Sequence, residues 1–237
     1  MKKIRILLAA LLLISVVNAQ QVNDPNAEVR QAKNFHGISV SSAFDVYLSQ
    51  SSSEAVAVSA SETKFRDRIK VEVKDGILYI KYDNEGLKWG SGDKKLKAYI
   101  SFVNIDKLSV SGACDVFITG ILKADALRIN QSGASDLKGK VDAKKLTIDI
   151  SGASDVMLTG TATQLDVEAS GASDFKGFDL VTEICNARAS GASDIKITVN
   201  KELSAQASGA SDVRYKGDAV IKDMKSSGAS SVSKSRS

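Results

Sequence analysis

The sequence predicts an all-β protein of the parallel β-helix, or β-solenoid, class, and two observations support this prediction. First, the phrase Ser-Gly-Ala-(Ser/Cys)-(Asp/Ser) occurs seven times, with its glycines 21, 19, 19, 20, 18 and 19 residues apart. A nearly constant short period is typical of solenoids, in which each repeat forms one coil. The glycines are Gly112, Gly133, Gly152, Gly171, Gly191, Gly209 and Gly228.

The second observation is the alternation of apolar and polar residues on both sides of each phrase. Leu146, Ile148 and Ile150 precede one copy, and Val156 and Leu158 follow it. A period of two is typical of half-buried strands, so each unit should be two short strands that meet at a corner. Because so short a unit cannot enclose a core alone, the copies must stack as parallel coils, about 4.8 Å apart.

We expect a right-handed coil, because connections between parallel strands generally have that hand. The alternative fold is an antiparallel meander with one hairpin per unit, which would not bring identical phrases into contact. Corners stacked in register require small side chains and a backbone that can adopt positive φ, hence the recurring Gly, Ala and Ser. Aromatic residues make up only 5% of the chain, and there is one proline, as a thin aliphatic core requires.

Residues 35–105 differ from the regular repeats that occupy residues 106–231, and both parts should form one domain, 35–231. Ser42 to Leu48 is a degenerate copy of the phrase and its following strand, so the column should begin there. Strands are predicted at 55–60, 69–73, 77–82 and 98–102, with Lys74-Asp75-Gly76 as a hairpin turn. This irregular part should cap the open end of the coil, because an uncovered sheet edge promotes aggregation.

These features together resemble a known bacterial family. The resemblance rests on Phe35 to Leu48, Val56-Ala57-Val58, the strand Gly76 to Ile80 and the reiterated Ser-Gly-Ala-Ser-Asp, and it covers roughly residues 35 to 220. The family is called putative auto-transporter adhesin, head GIN domain. The resemblance implies an exported β-solenoid from a Gram-negative bacterium of the Bacteroidetes type, and it supplies neither a ligand nor a catalytic residue.

The N-terminal end of the chain predicts export. Residues 1–19 have a basic start, an apolar run and Val17-Asn18-Ala19 as a cleavage site, which is typical of a signal peptide. Residues 20–34 should be a linker and 232–237 a polar tail. No later segment is apolar enough to span a membrane, so the mature chain should lie in the periplasm, at the outer surface or outside the cell.

The charge balance argues against nucleic acid as a partner. The chain has 32 Lys and Arg against 28 Asp and Glu, and the predicted signal peptide contains three of the basic residues, so the mature chain is close to neutral. No basic stripe with interleaved aromatic residues remains.

The sharpest candidate site is a row of acids that the stacked corners would align. Carboxylates about 5 Å apart raise one another's pKa or recruit cations, so calcium binding is the alternative to a scaffold role. Two positions further on, four of the six acids have Lys138, Lys176, Lys196 or Arg214 as a neighbour, and we therefore predict a self-neutralised row without metal. The acids are Asp115, Asp136, Asp155, Asp174, Asp194 and Asp212, of which Asp115 and Asp155 lack such a neighbour.

The remaining distinctive residues predict little chemistry. His36 is the single histidine, so a two-histidine metal site is excluded, and we predict a structural or exposed imidazole. Cys114 and Cys185 should be free thiols three coils apart, beyond the reach of a disulfide. Trp89 lies in a Gly-rich loop, where it packs on the cap or contacts a ligand.

The predicted function is that of an exported, non-catalytic solenoid that acts as an adhesin or as an interaction or structural protein of the cell envelope. It would bind an unidentified glycan or envelope protein through flat faces of repeated Ser, Asp and Lys, and no cofactor is predicted. Two alternatives stay open: a polysaccharide-active β-helix enzyme and a calcium-dependent binding module.

Overall fold

The computed structural model describes residues 24–86 and 93–235. The predicted signal peptide, residues 1–19, and Trp89 lie outside these ranges. The chain forms a β-solenoid, and its regular coils are built from long strands that each run from one corner to the next. These strands are β9 (Asp115–Gln131), β10 (Asp136–Ile150), β11 (Asp155–Ala169), β12 (Asp174–Ala189) and β13 (Asp194–Gly209).

The other elements begin and end the column. They are β1 (Glu28–Arg30), β2 (Gly37–Ser42), β3 (Phe44–Gln50), β4 (Ala55–Ser59), α1 (Thr63–Arg66), β5 (Ile69–Lys74), β6 (Ile77–Tyr82), β7 (Leu96–Phe102) and β8 (Lys107–Gly112) before the long strands, and β14 (Asp212–Lys216), β15 (Val220–Gly228) and β16 (Ser231–Lys234) after them. All the strands predicted between residues 55 and 102 are present. Helix α1 and strand β1 are not apparent from the sequence, and β1 lies within the segment predicted as a linker.

Strands pair in two rows, one on each side of the corner. The post-corner row has the order β1-β4-β7-β3-β9-β10-β11-β12-β13-β14-β16. The pre-corner row runs from β5 through β6, β2 and β8 into the later halves of β9 to β13, and it ends with β15.

Successive long strands are parallel and in register next to each corner, and three of the four pairs shift register between the corners. Asp136 aligns with Asp155 and Ile150 with Ala169 across the whole length of β10 and β11. This confirms the parallel solenoid and excludes the antiparallel meander, while the hand of the coil stays a prediction. Antiparallel pairs occur where β1, β4 and β5 join the first coil, as expected of an irregular cap.

The column begins at the degenerate phrase, as predicted. Asp45 aligns with Asp115, and Ser42 aligns with Gly112. Ser42 adopts the positive φ, 103°, that glycine provides in the later copies. The first coil therefore already has the geometry of the repeat, although its sequence has diverged.

The core is a thin column of aliphatic side chains. Leu146 and Leu165 are in register and fully buried, and Thr147 and Asp166 beside them face outward. The residue before each Asp of the phrase also points inward. Ser173 is fully buried, and its hydroxyl donates to the carbonyl oxygen of Ser170 at 2.9 Å, so this polar side chain satisfies itself within the corner.

Replacement of Leu165 by Asp should abolish cooperative folding, because an unpaired charge would occupy the interior between two coils. Thr163→Asp places the same side chain at an exposed position of the same strand and should melt like the parent. Thermal denaturation followed by circular dichroism compares the two. A Leu165→Asp protein that melts like Thr163→Asp would contradict the register.

Replacement of Gly171 by Val should cost about 2 kcal/mol or more. Gly171 has φ +79°, and a Cβ there would lie 2.6 Å from the carbonyl oxygen of Gly152 in the preceding coil. Gly120 has a similar φ of +76° with nothing within 4 Å of its Cβ position, so Gly120→Val isolates the strain of positive φ from the stacking clash. Urea denaturation measures both changes, and equal losses would show that the corner is not tightly stacked.

Candidate binding surface

The outward side of the post-corner row carries the predicted row of acids. Register pairs align each Asp with the next, and the row extends to Asp45 at its N-terminal end. We call this surface the Asp/Lys face and define it by two rows. The first row is Asp45, Asp115, Asp136, Asp155, Asp174, Asp194 and Asp212, and the second, two residues further along each strand, is Tyr47, Phe117, Lys138, Met157, Lys176, Lys196 and Arg214.

Ion pairs neutralise much of the middle of the face. Lys176 Nζ lies 3.6 Å from the carboxylate of Asp174 in its own coil and 2.5 Å from that of Asp155 in the preceding coil. The expectation that Asp155 lacks a basic partner is therefore wrong, because a lysine side chain reaches across one coil. Lys138 pairs with Asp136 at 3.6 Å.

At the C-terminal end of the face, Asp212 is held more firmly. The hydroxyl of Ser231 donates to Asp212 Oδ1 at 2.7 Å, and Arg214 donates to Oδ2 at 2.9 Å. These two hydrogen bonds, with that of Ser231 the larger, lower the pKa of Asp212. Lys196 lies two residues after Asp194, is half-buried and forms no ion pair with any residue that the structure describes.

The N-terminal end of the face differs, because aromatic residues replace the lysines. The rings of Tyr99, Tyr47 and Phe117 stack along the column, with centroids 5.2 Å and 5.5 Å apart. Since the rings cover one another's faces, they present mainly their edges to solvent. The hydroxyl of Tyr99 donates to Asp24 at 2.9 Å and ties the start of the described chain to this stack.

Asp45 lies beside this stack and gains no ion pair from it. Burial is the main cause that raises the pKa of Asp45, and the nearby charge of Asp115 raises it further, whereas Lys97 opposes the shift. The carboxylate of Asp45 therefore destabilises the folded chain at neutral pH, in contrast to Asp212.

A second concave surface is formed by the middle segments of β9, β10 and β11 together with the residues around His36 and Asp106. This shallow groove has a volume of about 900 Å³. Within it, His36 Nδ1 lies 2.9 Å from Asp106 Oδ1, and Lys144 Nζ lies 2.8 Å from Asp125 Oδ1. Its lining includes His36, Gln50, Asp106, Lys123, Asp125, Asp142, Lys144 and Thr163.

Both backbone polar groups of His36, its N–H and its carbonyl oxygen, form hydrogen bonds. Its N–H donates to Gly76 O at 2.8 Å, and its carbonyl oxygen accepts from the N–H of Asp106 at 2.9 Å. A Cβ on Gly76 would come within 2.7 Å of the imidazole, so the ring lies over that glycine. The histidine therefore joins the starts of β6, β2 and β8.

The two cysteines are both buried and free. Cys114 takes the inward position that serine holds in later copies, and its thiol donates to Ser111 O at 3.4 Å. Burial raises the pKa of both thiols. The serines at the same position of the later copies, such as Ser154 and Ser173, are also buried. They are therefore not part of the outer face, contrary to the expectation of a surface of repeated Ser.

Among residues 24–86 and 93–235, no group of three or more His, Cys, Asp or Glu side chains is arranged to hold a metal ion. In the same part of the chain, no helix has the length and apolar character needed to cross a bilayer. The acids of the first row are spread along the column at one per coil, which explains why stacking alone does not create a chelating cluster.

Comparisons with known proteins place this solenoid in a family. The family described as "Putative auto-transporter adhesin, head GIN domain" matches residues 34–219, and the chain belongs to it. None of the curated proteins matches the chain.

Three solved structures share the fold. A putative adhesin from Bacteroides fragilis NCTC 9343 is 24% identical, with a TM-score of 0.83, over 88% of this chain and 95% of that one. A putative adhesin from Parabacteroides merdae ATCC 43184 is 18% identical, with a TM-score of 0.69, over 89% and 95%. A putative lipid binding protein from Parabacteroides distasonis ATCC 8503 is 20% identical, with a TM-score of 0.66, over 90% and 98%.

Replacement of Asp45 by Asn should stabilise the protein at pH 7, because it removes a carboxylate whose pKa is raised on folding. The folded carboxyl binds its proton at higher pH than the unfolded one, so its penalty is relieved as pH falls through the folded-state pKa. The gain from Asp45→Asn should therefore shrink in acid. Thermal melts between pH 7 and pH 3 measure it.

Asp212→Asn is the matched control on the same row. The pKa of Asp212 is lowered on folding, so its carboxylate stabilises the fold above the unfolded-state pKa, and this stabilisation is lost in acid. Asp212→Asn should destabilise the protein at pH 7 and approach the parent at low pH. Shifts of the same sign for the two variants would contradict the contrast between the ends of the face.

Proposed function

We propose that the protein is an exported, non-catalytic adhesin or envelope protein that binds a glycan or another protein through the repeated outer faces of the solenoid. The observation that supports this proposal most strongly is the Asp/Lys face. It presents charged and hydrogen-bonding groups at one spacing over successive coils, on strands whose register is set by the corners. Membership of a family named for adhesins agrees with this role.

Binding through such a face would be multivalent. Each coil offers a similar small set of groups about 4.8 Å from the next, so a polymer with its own repeat can make several weak contacts at once. Lys196 contributes a positive charge that no carboxylate within the described chain neutralises, and Lys138 is exposed although it pairs with Asp136. These two lysines are the groups on the face that are most available to an acidic or hydroxyl-rich ligand.

Export is proposed from the first 19 residues, whose basic and apolar segments have the form of a signal peptide. The periplasm, the outer surface and the extracellular space all fit this segment. The buried thiols suit any of them, because neither cysteine needs a partner to complete the fold.

A non-catalytic role is proposed because the most regular charged groups serve the stacking of coils. If the alternative of a polysaccharide-active enzyme holds, the groove is where its site would lie, since Asp106, Asp125 and Asp142 line it together. Two of these acids are engaged with His36 and Lys144, which leaves no free pair of carboxylates of the kind that glycoside hydrolysis uses.

The test is a glycan array together with a pull-down from isolated cell envelopes, with three forms of the purified protein. Lys138→Glu/Lys196→Glu reverses two charges on the Asp/Lys face. Lys107→Glu/Arg188→Glu makes the same charge change at exposed positions of the pre-corner row and serves as the control. We expect the first variant to lose about tenfold in apparent affinity, because several contacts weaken together, and the control to bind like the parent.

Equal loss in both variants would mean that binding follows net charge rather than this face, and absence of any ligand would contradict the proposal. The same binding assay with a chelator distinguishes the calcium-dependent alternative, in which binding and melting temperature would fall without calcium and return with it. Shortening of an array polysaccharide that is abolished by Asp125→Asn would establish the enzyme instead.

A further inference from the structure

The last coil of the column leaves a strand edge open. Strand β15 pairs with β13 on one side, and no strand in the part of the chain that the structure describes pairs with its other side. Its outer backbone N–H and C=O groups therefore face away from the column, which is the arrangement that recruits another strand.

Apolar side chains accompany this open edge. Ile221 and Met224 align with Leu203 and Ala205, which are fully buried in the coil below. In the last coil the same inward positions have nothing stacked over them, so Ile221 is 37% exposed and Met224 42% exposed. The apolar core of the column is therefore partly exposed at its C-terminal end.

The opposite end of the column is protected. Its pre-corner edge strand, β5, turns the charged side chains of Lys70, Glu72 and Lys74 to solvent, and β5 is antiparallel to the coil that it covers. Charged residues on an edge are a common means of preventing strand addition. Strand β15 carries charged residues as well, Lys222, Asp223 and Lys225, so the two ends differ in their apolar residues: Ile69 of β5 is buried, whereas Ile221 and Met224 of β15 are exposed.

We propose that β15 forms the interface of a two-fold symmetric dimer in which the C-terminal ends of two columns meet. In this dimer β15 pairs antiparallel with β15 of a second copy of this chain, and the two-fold axis passes through Met224. The partner is a second copy because the short segment Asp223-Met224-Lys225 is complementary to itself when reversed. Asp223 then lies opposite Lys225 of the partner subunit, Lys225 lies opposite Asp223 of the partner subunit, and the two methionines meet at the centre.

The charges select this register among its neighbours. A two-fold axis through Asp223 would set two aspartates directly opposite each other, and an axis through Lys225 would oppose two lysines. Opposite charges in directly facing positions of an antiparallel pair stabilise it, and like charges destabilise it. The axis through Met224 also sets the two methionines, which occupy inward positions, directly opposite each other.

This inference goes beyond the proposed function and does not depend on it, because it concerns the end of the column and not its faces. A dimer of this kind would bring two Asp/Lys faces, one on each side of the two-fold axis, into one assembly and would double the number of coils available to a ligand. Dimerisation can be measured without any ligand, so the failure of one proposal leaves the other standing.

Cross-linking through Met224→Cys is the first test. Residues directly opposite in an antiparallel pair have Cβ atoms about 4.5 to 5.5 Å apart, close enough for a disulfide after a small adjustment. Under mild oxidation we expect a covalent dimer on a non-reducing gel. Met157→Cys is the control, because Met157 is 43% exposed in the middle of the column. Native Cys114 and Cys185 are buried and should not contribute.

Sedimentation equilibrium of the parent protein at micromolar concentration should show a dimer. A parent that stays monomeric would overturn the proposal. So would a Met224→Cys protein that cross-links no more than Met157→Cys, because any dimer would then use another surface.

Charge exchange is the second test and examines the register. Lys225→Asp should raise the dissociation constant of the dimer about tenfold or more, since two opposite-charge pairs become like-charge pairs. The double variant Asp223→Lys/Lys225→Asp restores both cross-subunit pairs, and it also keeps opposite charges at positions 223 and 225 within each chain, where the native Lys225 Nζ lies 3.0 Å from Asp223 Oδ2. We expect the double variant to dimerise like the parent. Failure of this recovery, or no effect of the single change, would overturn the register.

Discussion

The close approach of successive corners is the constraint on which the rest of this structure depends. The carbonyl oxygen of Gly152 accepts the N–H of Ala172 in the next coil at 2.8 Å, and Gly171 has room above Gly152 only because it lacks a Cβ. The same contact recurs along the column. Once the corners are held at this distance, the residues next to each corner have one possible register, and each of their side chains is committed to the core or to solvent.

In-register stacking places the carboxylate of one coil over that of the next, and these like charges repel each other. Lysine and arginine side chains two residues further along the strands reduce this repulsion where they reach the carboxylates. Lys176 serves two coils at once. At the N-terminal end the compensating base is replaced by stacked aromatic rings, and there Asp45 keeps a raised pKa. The two ends of one face therefore respond to pH in opposite directions.

The ends of the column differ from its middle because each end coil lacks a neighbouring coil on one side. A solenoid has no intrinsic stopping point, so each end must be covered by another element or must remain available for pairing. At the start, antiparallel strands and the short helix α1 complete the core. At the C-terminal end, β15 leaves the apolar side chains of Ile221 and Met224 exposed. The interior of so thin a column is filled by its own side chains. The surfaces that can contact other molecules are therefore the outer faces and the ends.

The sequence by itself determined the solenoid, its repeat, the corner glycines and the alignment of the acids, because a period of two and a fixed repeat length are local properties that stacking only multiplies. It also indicated the degenerate first coil through Asp45. Only the tertiary structure decided the contacts between coils: the reach of Lys176 to Asp155, the inward turn of Ser173 and Cys114, the ring stack beside Asp45 and the capping role of β1. These depend on side-chain length and on local irregularities such as the register shift between Lys138 and Lys140, which the repeat pattern does not encode.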